Sequence, residues 1–375
     1  MNPAAPSRLL RLHQFTEQAV RHLRPYAWLW PPIAFLIGAL SFFLVDRQQS
    51  LGAFLALGLL LAWVLLLSES LIGRLLARRG YPTLPRGVTT FIAQMIHQET
   101  LFFTLPFLLA TTVWRSGQAL FTLAMVGCGV LSILDPLYFR LAERHRWLYF
   151  AFHALCVFLV ILVTLPIMLH LTTGETLLLA VLATMVFSLP SLVHLLQPRG
   201  LLRWLAMLGL AMLLGAGAWA GRAWIPPATL WITGSALSPG FDAGQRRPVE
   251  SMALTEANLQ QRGLYAYTAI RAPRGLREKV YHVWRHEGEI IDRIPLIIHG
   301  GRDGGYRAWT HKQHFPEASA GHWRIDVMTA TGQRLGVIRF SVAEEARRAD
   351  RADGRIRSPA GVPGLDLRQL IPGAD

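Results

Sequence analysis

The sequence predicts an α-helical transmembrane bundle of about seven spans, followed by a small all-β antiparallel sandwich of immunoglobulin-like shape. Three observations carry this. Seven apolar stretches lie between Ala27 and Trp224, near 27–45, 51–71, 92–114, 118–139, 148–170, 176–197 and 203–224. Each approaches the ~20 residues a helix needs to cross hydrocarbon, where only internal hydrogen bonding can satisfy the backbone. Arginines divide unequally between the links: Arg8, Arg11, Arg21, Arg24, Arg74, Arg78, Arg79, Arg86, Arg140, Arg144, Arg146, Arg199 and Arg203 fall on one side, against Arg47, Arg115 and Arg222 on the other. After Trp224 the texture changes to short alternating stretches with glycine turns. Positive loops stay inside, so this distribution predicts a cytoplasmic N-terminus and, with an odd number of spans, export of everything after Trp224.

In chain order, residues 1–26 form a basic leader in which Leu9, Leu12, Phe15, Ala19 and Leu23 share a helical face among arginines. That pattern suits an amphipathic helix on the inner membrane surface. The lead before the first span shows no small-residue cleavage pattern, so the span is expected to stay as an anchor. The seven-span region is 27–224. Residues 225–262 read as exit segment and linker, with a short helix over Met252–Gln261 that Ser251 or Thr255 would cap. The β domain is expected over 263–342 and a disordered tail over 343–375, where charge, Ala, Gly and Pro dominate.

Within the β domain, Leu264–Ile270, Lys279–Trp284, Ile290–Ile298 and Tyr306–Thr310 read as strands, with Glu287-Gly288 as a hairpin turn. The clearest hairpin runs from His322–Met328 through Thr331-Gly332 to Arg334–Val342. Trp323, Ile325 and Val327 share one face, as do Ile338, Phe340 and Val342.

The net charge of +14 divides into sixteen basic against seven acidic residues up to Trp224, and twenty-one against sixteen beyond. Most of the excess lies in loops predicted to face anionic lipid, and no nucleic-acid recognition motif accompanies it. The partners expected are therefore membrane lipids and not nucleic acid. Cys128 and Cys156 both fall in predicted spans, which leaves the exported part without a disulfide.

Three groups of residues bear on function. Gln94, His97, Gln98, Glu99, Asp135, His153 and His194 are predicted at similar depth in the inner halves of spans three to six. Such groups face a bundle interior or a wet cavity; they suit a proton relay, a metal or, more simply, interhelical hydrogen bonds, with Glu99 paired to His97 or His153. No His-x-x-Glu-His or comparable spacing favours the metal. The second group is aromatic: Tyr281, Trp284, Tyr306, Trp309 and Trp323. In a small sandwich tryptophan fills the core, and Trp323 is expected there. Alternation leaves some rings facing outward, and Tyr281, Trp284, Tyr306 and Trp309 are the candidates to meet a partner, including a glycan. The third is His282, His286, His299, His311, His314 and His322, whose spacing matches no metal site. Gly300–Gly305 joins strands and opens no helix, which makes it a loop and not a phosphate cradle. No catalytic motif and no cofactor motif is present.

Val280-Tyr-His-Val-Trp284, Gly288, Ile294-Pro-Leu296, Trp309, Gly321-His-Trp323-Arg-Ile-Asp-Val327, Thr331-Gly332-Gln333 and Arg339-Phe340-Ser-Val342 together resemble a bacterial domain of unknown function, number twenty-nine-fourteen, over about 262–342. The resemblance implies a domain that ends membrane proteins or follows an export signal. The preceding region, with Ile96-His-Gln-Glu-Thr-Leu-Phe-Phe103, is similar to the uncharacterised membrane part found with it. Neither family implies a catalytic residue. The resulting expectation is a multi-pass protein of the bacterial inner membrane, whose periplasmic or extracellular β domain binds an envelope protein or cell-wall glycan. In that reading the bundle is anchor or signal receiver. The alternative is a transporter or intramembrane enzyme built on the polar cluster.

Overall fold

A computed structural model of the chain describes residues 86–358 except 198 and 347, together with 18, 22, 24–29, 32–33, 36–37, 40, 57–58, 61 and 78. The expected leader, the first two expected spans and the end of the expected tail lie almost wholly outside the described residues.

Among the described residues, a 3-10 helix Arg24–Leu29 and six α-helices of known extent precede the β region: α1 Arg86–Thr111, α2 Gln118–Ile133, α3 Asp135–Arg144, α4 Arg146–Leu169, α5 Thr173–Leu196 and α6 Leu201–Ala220, the last continued by a 3-10 turn Gly221–Trp224. Five spans are expected between 92 and 224. Among the described residues, three helices are long and apolar enough to cross a membrane: α4, α5 and Leu201–Trp224. A bent pair, α2 with α3, adds a fourth if taken as one span. α1 carries Gln94, His97, Gln98 and Glu99 within two turns and is not among them.

The stretch 118–139, expected as one span, is broken by a bend of 92° between α2 and α3. Pro136 explains the break. It has no N–H to give to the carbonyl of Ser132 four residues earlier, and its ring crowds that carbonyl. The orphaned Ser132 oxygen is taken up from α1, by Gln94 Nε2 at 2.9 Å and Gln98 Nε2 at 2.7 Å. A buried carbonyl without a partner would be costly, so these two glutamines make the break tolerable.

The described contacts divide the chain into two units. The first comprises Met1–Pro106, Ala124–Thr164 and Ala180–Ala216 and holds most of the helical core, including an apolar cluster of Leu192, Met207 and Ala211. The second comprises Phe107–Leu123, Leu165–Leu179 and Gly217–Asp375, and contains the β region.

The strands are β1 Trp231–Ser238, β2 Gly240–Asp242, β3 Arg247–Val249, β4 Met252–Ala253, β5 Leu264–Arg271, β6 Arg277–His286, β7 Glu289–His299, β8 Tyr306–Lys312, β9 Gly321–Thr329, β10 Arg334–Val342 and β11 Arg351–Ala352. Helix α7, Glu256–Arg262, lies between β4 and β5, and Thr255 caps it by accepting the Asn258 amide. One sheet has the order β1-β5-β8 and the other β10-β9-β6-β7, with antiparallel pairing throughout. The two sheets share a core. At one end Leu264 and Ala266 of β5 meet Trp284, Trp323, Ile325 and Phe340. At the other, Ile232, Ile270 and Ala308 meet Val280, Ile298 and Val327. Trp323 is 1% exposed and its indole N–H donates to the Ser319 carbonyl at 2.7 Å, so it is the core residue expected. Between the two ends a polar pin crosses the layers, with His282 of β6 held by Thr268 at 3.1 Å and Thr310 at 2.9 Å. The β6–β7 hairpin turns at Glu287 and Gly288, both with positive φ (46° and 96°), the backbone that matches strand twist in a two-residue turn.

Two boundaries differ from the expected ones. The β region begins at Trp231, inside the stretch expected as exit segment and linker. Residues beyond 342, expected as disordered tail, also contribute: β11 pairs with β4, and Arg357 exchanges two backbone hydrogen bonds of 2.9 Å with Ser235. The buried residues of β1 are Ile232, Gly234, Ala236 and Ser238. A register shift after Ile232 turns the last three to the outer face, opposite Ala269, Tyr267 and Tyr265, while Ile232 and Leu237 pack into the core between the sheets. Three of the four are too small to write a hydrophobic alternation, so the strand is silent in sequence. Gly234 has the Ile356 side chain packed where a Cβ would stand, which ties the late segment to β1.

Candidate functional site

The polar residues of the helical region separate into distinct neighbourhoods. Gln94 and Gln98 cap the α2–α3 break, and Gln94 Nε2 also donates to Asp135 Oδ1 at 2.7 Å. Asp135, the first residue of α3, is exposed. His97 is buried with its Nδ1 2.6 Å from the Tyr138 hydroxyl, and its ring meets those of Phe152 at 4.9 Å and His153 at 4.3 Å edge to face. His153 Nδ1 reaches the Tyr149 carbonyl at 3.0 Å. His194 is exposed and lies flat on Phe150 at 5.0 Å.

Glu99 is half-buried and forms no hydrogen bond or ion pair with another described residue. The pairing expected with His97 or His153 is replaced by contact between those two histidines. Positions two apart on a helix point to opposite sides, which is why Glu99 and His97 diverge. Tyr138 and Tyr149 complete the His97 neighbourhood and were not singled out in the sequence. Tyr149 stands one turn before His153, a spacing that signals shared facing; Tyr138 enters only through the bend. Among the described residues no three His, Cys, Asp or Glu side chains converge as a metal site.

In the β domain the expected aromatic candidates part company. Trp284 is 0% exposed and belongs to the core, which removes it from any binding face. Its partners on β6, Val280 and His282, share its face by two-residue alternation and point inward with it. Tyr306 is half-buried against the core, with the Arg302 guanidinium 5.1 Å above its ring. Tyr281 stands half-buried on the outer face of the four-stranded sheet, with Arg293 4.0 Å and Lys279 5.4 Å from its ring.

Trp309 alone opens onto an aromatic surface. On the outer face of β5 and β8, register places Tyr265 opposite His311 and Tyr267 opposite Trp309. Phe241 of β2 folds over this face, stacked on Trp309 at 4.3 Å and on Tyr265 at 5.7 Å, and Tyr265 stacks on His311 at 3.9 Å. Trp309, Phe241, Tyr265 and His311 thus form one continuous row of stacked, half-buried rings. Phe241 and Tyr265 were missed in the sequence, and His311 stood out there only as one of the dispersed histidines, because the row exists only through strand register and the β2–β3 hairpin.

The other histidines are dispersed. His286 stacks on Trp323 at 4.6 Å, His299 meets Tyr306 at 5.6 Å, and His314 and His322 are exposed. Burial pushes the His282 imidazole down to about 3, so it stays neutral in its pin. Burial also raises the Glu278 carboxyl, which accepts the Thr173 amide at 2.7 Å. On the outer face of the four-stranded sheet, Asp326 is 0% exposed and gathers Arg285 at 3.0 Å, Arg324 at 3.3 Å and Arg334 at 3.5 Å. Three cations around one carboxylate offset a buried negative charge, though of the three only Arg285 Nε hydrogen-bonds it.

An apolar helical region followed by an antiparallel β domain with an outward ring row is the class these features define. Residues 9–266 match the model of a family of unknown function (DUF5924), and the chain belongs to that family. Residues 277–342 match a second one, a protein of unknown function (DUF2914), in agreement with the resemblance drawn from the strand residues. The first match ends within β5 and the second starts at the first residue of β6, so the seam between them runs through the sandwich. No curated protein and no solved structure matches the chain.

Proposed function

We propose that the chain is a multi-pass protein of the bacterial inner membrane, with seven spans, a cytoplasmic N-terminus and a β domain on the outer side that binds a component of the envelope, protein or glycan. The helical region acts as anchor or as receiver of the binding signal. The arginine asymmetry and the apolar helices support the location. The strand order supports an immunoglobulin-like reading of the sandwich, because the chain crosses between sheets from β5 to β6, from β7 to β8 and from β8 to β9. The observation that carries the binding role is the row of stacked rings on the outer face of β5 and β8, since flat rings left partly open to solvent are suited to recognition.

The alternative of a transporter or intramembrane enzyme draws less support: Glu99 is turned away from the histidines, while Asp135 and His194 stand apart from them. The test combines orientation with capture. Reporters active only outside the membrane should work after Arg47 and Asp375 and stay silent after Arg79 and Arg146. A photoreactive phenylalanine analogue placed at Trp309 should cross-link an envelope component in living cells. A silent reporter at Asp375, or no cross-link at Trp309 in a well-expressed protein, would overturn the reading.

A further inference from the structure

Next to the ring row lies a pocket of about 390 Å³ built by two loops and a strand. The β2–β3 turn contributes Gln245 and Arg246, the β7–β8 loop Arg302, Gly304 and Gly305, and β8 Arg307. Three arginines line it and no acid does. The acids nearest in sequence are otherwise placed: Asp242 Oδ1 accepts the amides of Gly244 and Gln245 at 2.9 and 3.0 Å, and Asp303 is exposed.

Both loops are held in shape. Thr233 Oγ1 of β1 donates to the Gly304 carbonyl at 2.9 Å, and a Cβ at Gly305, whose φ is +83°, would press on Thr233. On the other side, Arg307 Nη1 donates to the Gln245 carbonyl at 3.0 Å, which joins the strand to the turn. Arg246 adopts φ +49°, a left-handed backbone that glycine would take at less cost.

The contrast with the Asp326 neighbourhood is informative. A pocket on that sheet is also lined by three arginines, Arg285, Arg324 and Arg339, but it includes Glu287 and Asp350, and Asp326 already engages Arg285 and Arg324. Two of its three cations are paired with Asp326, and its lining holds acids besides. Those of the loop pocket are not matched by any acid in its lining, and guanidinium forks are the groups best shaped for phosphate and carboxylate oxygens.

We propose that the loop pocket is an oxyanion site, and that together with the ring row it takes a glycan carrying phosphate or carboxylate groups. The proposal rests on the reading of the β domain as an envelope-binding module and names its ligand class. Arg307 and Trp309 are two apart on β8, so they stand on one face about 7 Å from each other. That spacing lets a sugar ring lie on the indole while its anionic substituent, or that of the next sugar, reaches the arginines. Neither part suffices alone: the rings do not select charge, and the arginines do not select sugars.

The experiment uses the full chain purified in detergent and isothermal calorimetry with four probes: a phosphorylated mannopentaose, an oligogalacturonate, neutral maltopentaose and inorganic phosphate. At least one charged oligosaccharide should bind saturably, and which of the two binds identifies phosphate or carboxylate as the anion. The paired change Arg302→Gln with Arg307→Gln should weaken that binding roughly tenfold or more, as should Trp309→Ala. Should the paired variant lose its fold, Arg302→Glu alone reverses a loop charge whose described ring contact is with Tyr306, and the same loss is expected. Absence of saturable binding by both charged oligosaccharides, or unaltered binding by a folded arginine variant, overturns the oxyanion site. Inorganic phosphate or maltopentaose binding as tightly as the charged oligosaccharide overturns the combined site. A protein cross-linked at Trp309 in cells, with no charged oligosaccharide bound in vitro, sinks this inference and leaves the envelope-binding reading standing.

Discussion

A histidine in the middle of a sandwich has a consequence for acid stability. His282 is fully buried between Thr268 and Thr310, and its imidazole is pushed from the ordinary 6.5 down to about 3 by burial. In the unfolded chain it would take a proton below about 6.5; in the folded one it refuses that proton until about 3. The unfolded state therefore binds more protons throughout this window, so the contribution is complete above pH 6.5 and is lost as pH falls toward 3. The limiting slope is about 1.4 kcal/mol per pH unit. Thermal unfolding of the full chain should show this acid loss, and His282→Gln should show a shallower dependence over the same window. Equal slopes in the two proteins would mean that His282 does not titrate on unfolding. Trp284 and Trp309 show how residue roles divide: both lie in strands of similar composition, but the side of the sheet each occupies makes one a core ring and the other a surface ring.

At the scale of elements, the β domain needs strands that its sequence hides. β1 completes the three-stranded sheet with mostly small buried residues, and β11 with the Arg357 bridge closes over β4 and β1. Without β1, the edge of β5 would be unpaired and Ile232 would be missing from the core it shares with Ile270 and Val327. A fragment spanning 225–358 should accordingly unfold in one cooperative transition, while one spanning 245–345 should show weak or no cooperativity by circular dichroism. Equal midpoints for the two would show that β1 and β11 are dispensable. By the same reasoning, the family match over residues 277–342 covers five strands and leaves out both β1 and β5.

On the scale of the whole molecule, the second unit joins helix ends to the sandwich by specific bonds. Gln118 Nε2 donates to the Arg334 carbonyl at 2.9 Å, Arg222 Nε to the Thr331 carbonyl at 2.7 Å, Gln333 Nε2 to the Ile225 carbonyl at 3.2 Å, and the Thr173 amide to Glu278 at 2.7 Å. Glu278 stands at the start of α5, where free amides favour an acceptor. Glu278→Ala leaves the Thr173 amide without that acceptor and should cost about 1–3 kcal/mol. Glu278→Gln keeps an oxygen in place and should cost less. Thermal unfolding of the full chain in detergent distinguishes them, and an Ala variant as stable as the parent would show that this bond holds nothing.

By itself the sequence determined the division into an apolar helical part and a β part, and it marked the strands from β5 to β10, because alternation and turn glycines are local properties of the chain. It also marked His97, Gln98 and Trp309 as residues of interest, since polar groups in apolar stretches and large rings on short strands stand out locally. Tertiary structure decided what those residues do. Pro136 breaks a stretch that reads as one span, and the carbonyl it orphans is what Gln94 and Gln98 answer. Register and a folded-over hairpin build the ring row from three elements, and two distant loops bring together arginines separated by up to 61 positions, Arg246 and Arg307. Such contacts depend on which strand edges meet and which face turns inward, and neither is written in the periodicity of any single segment.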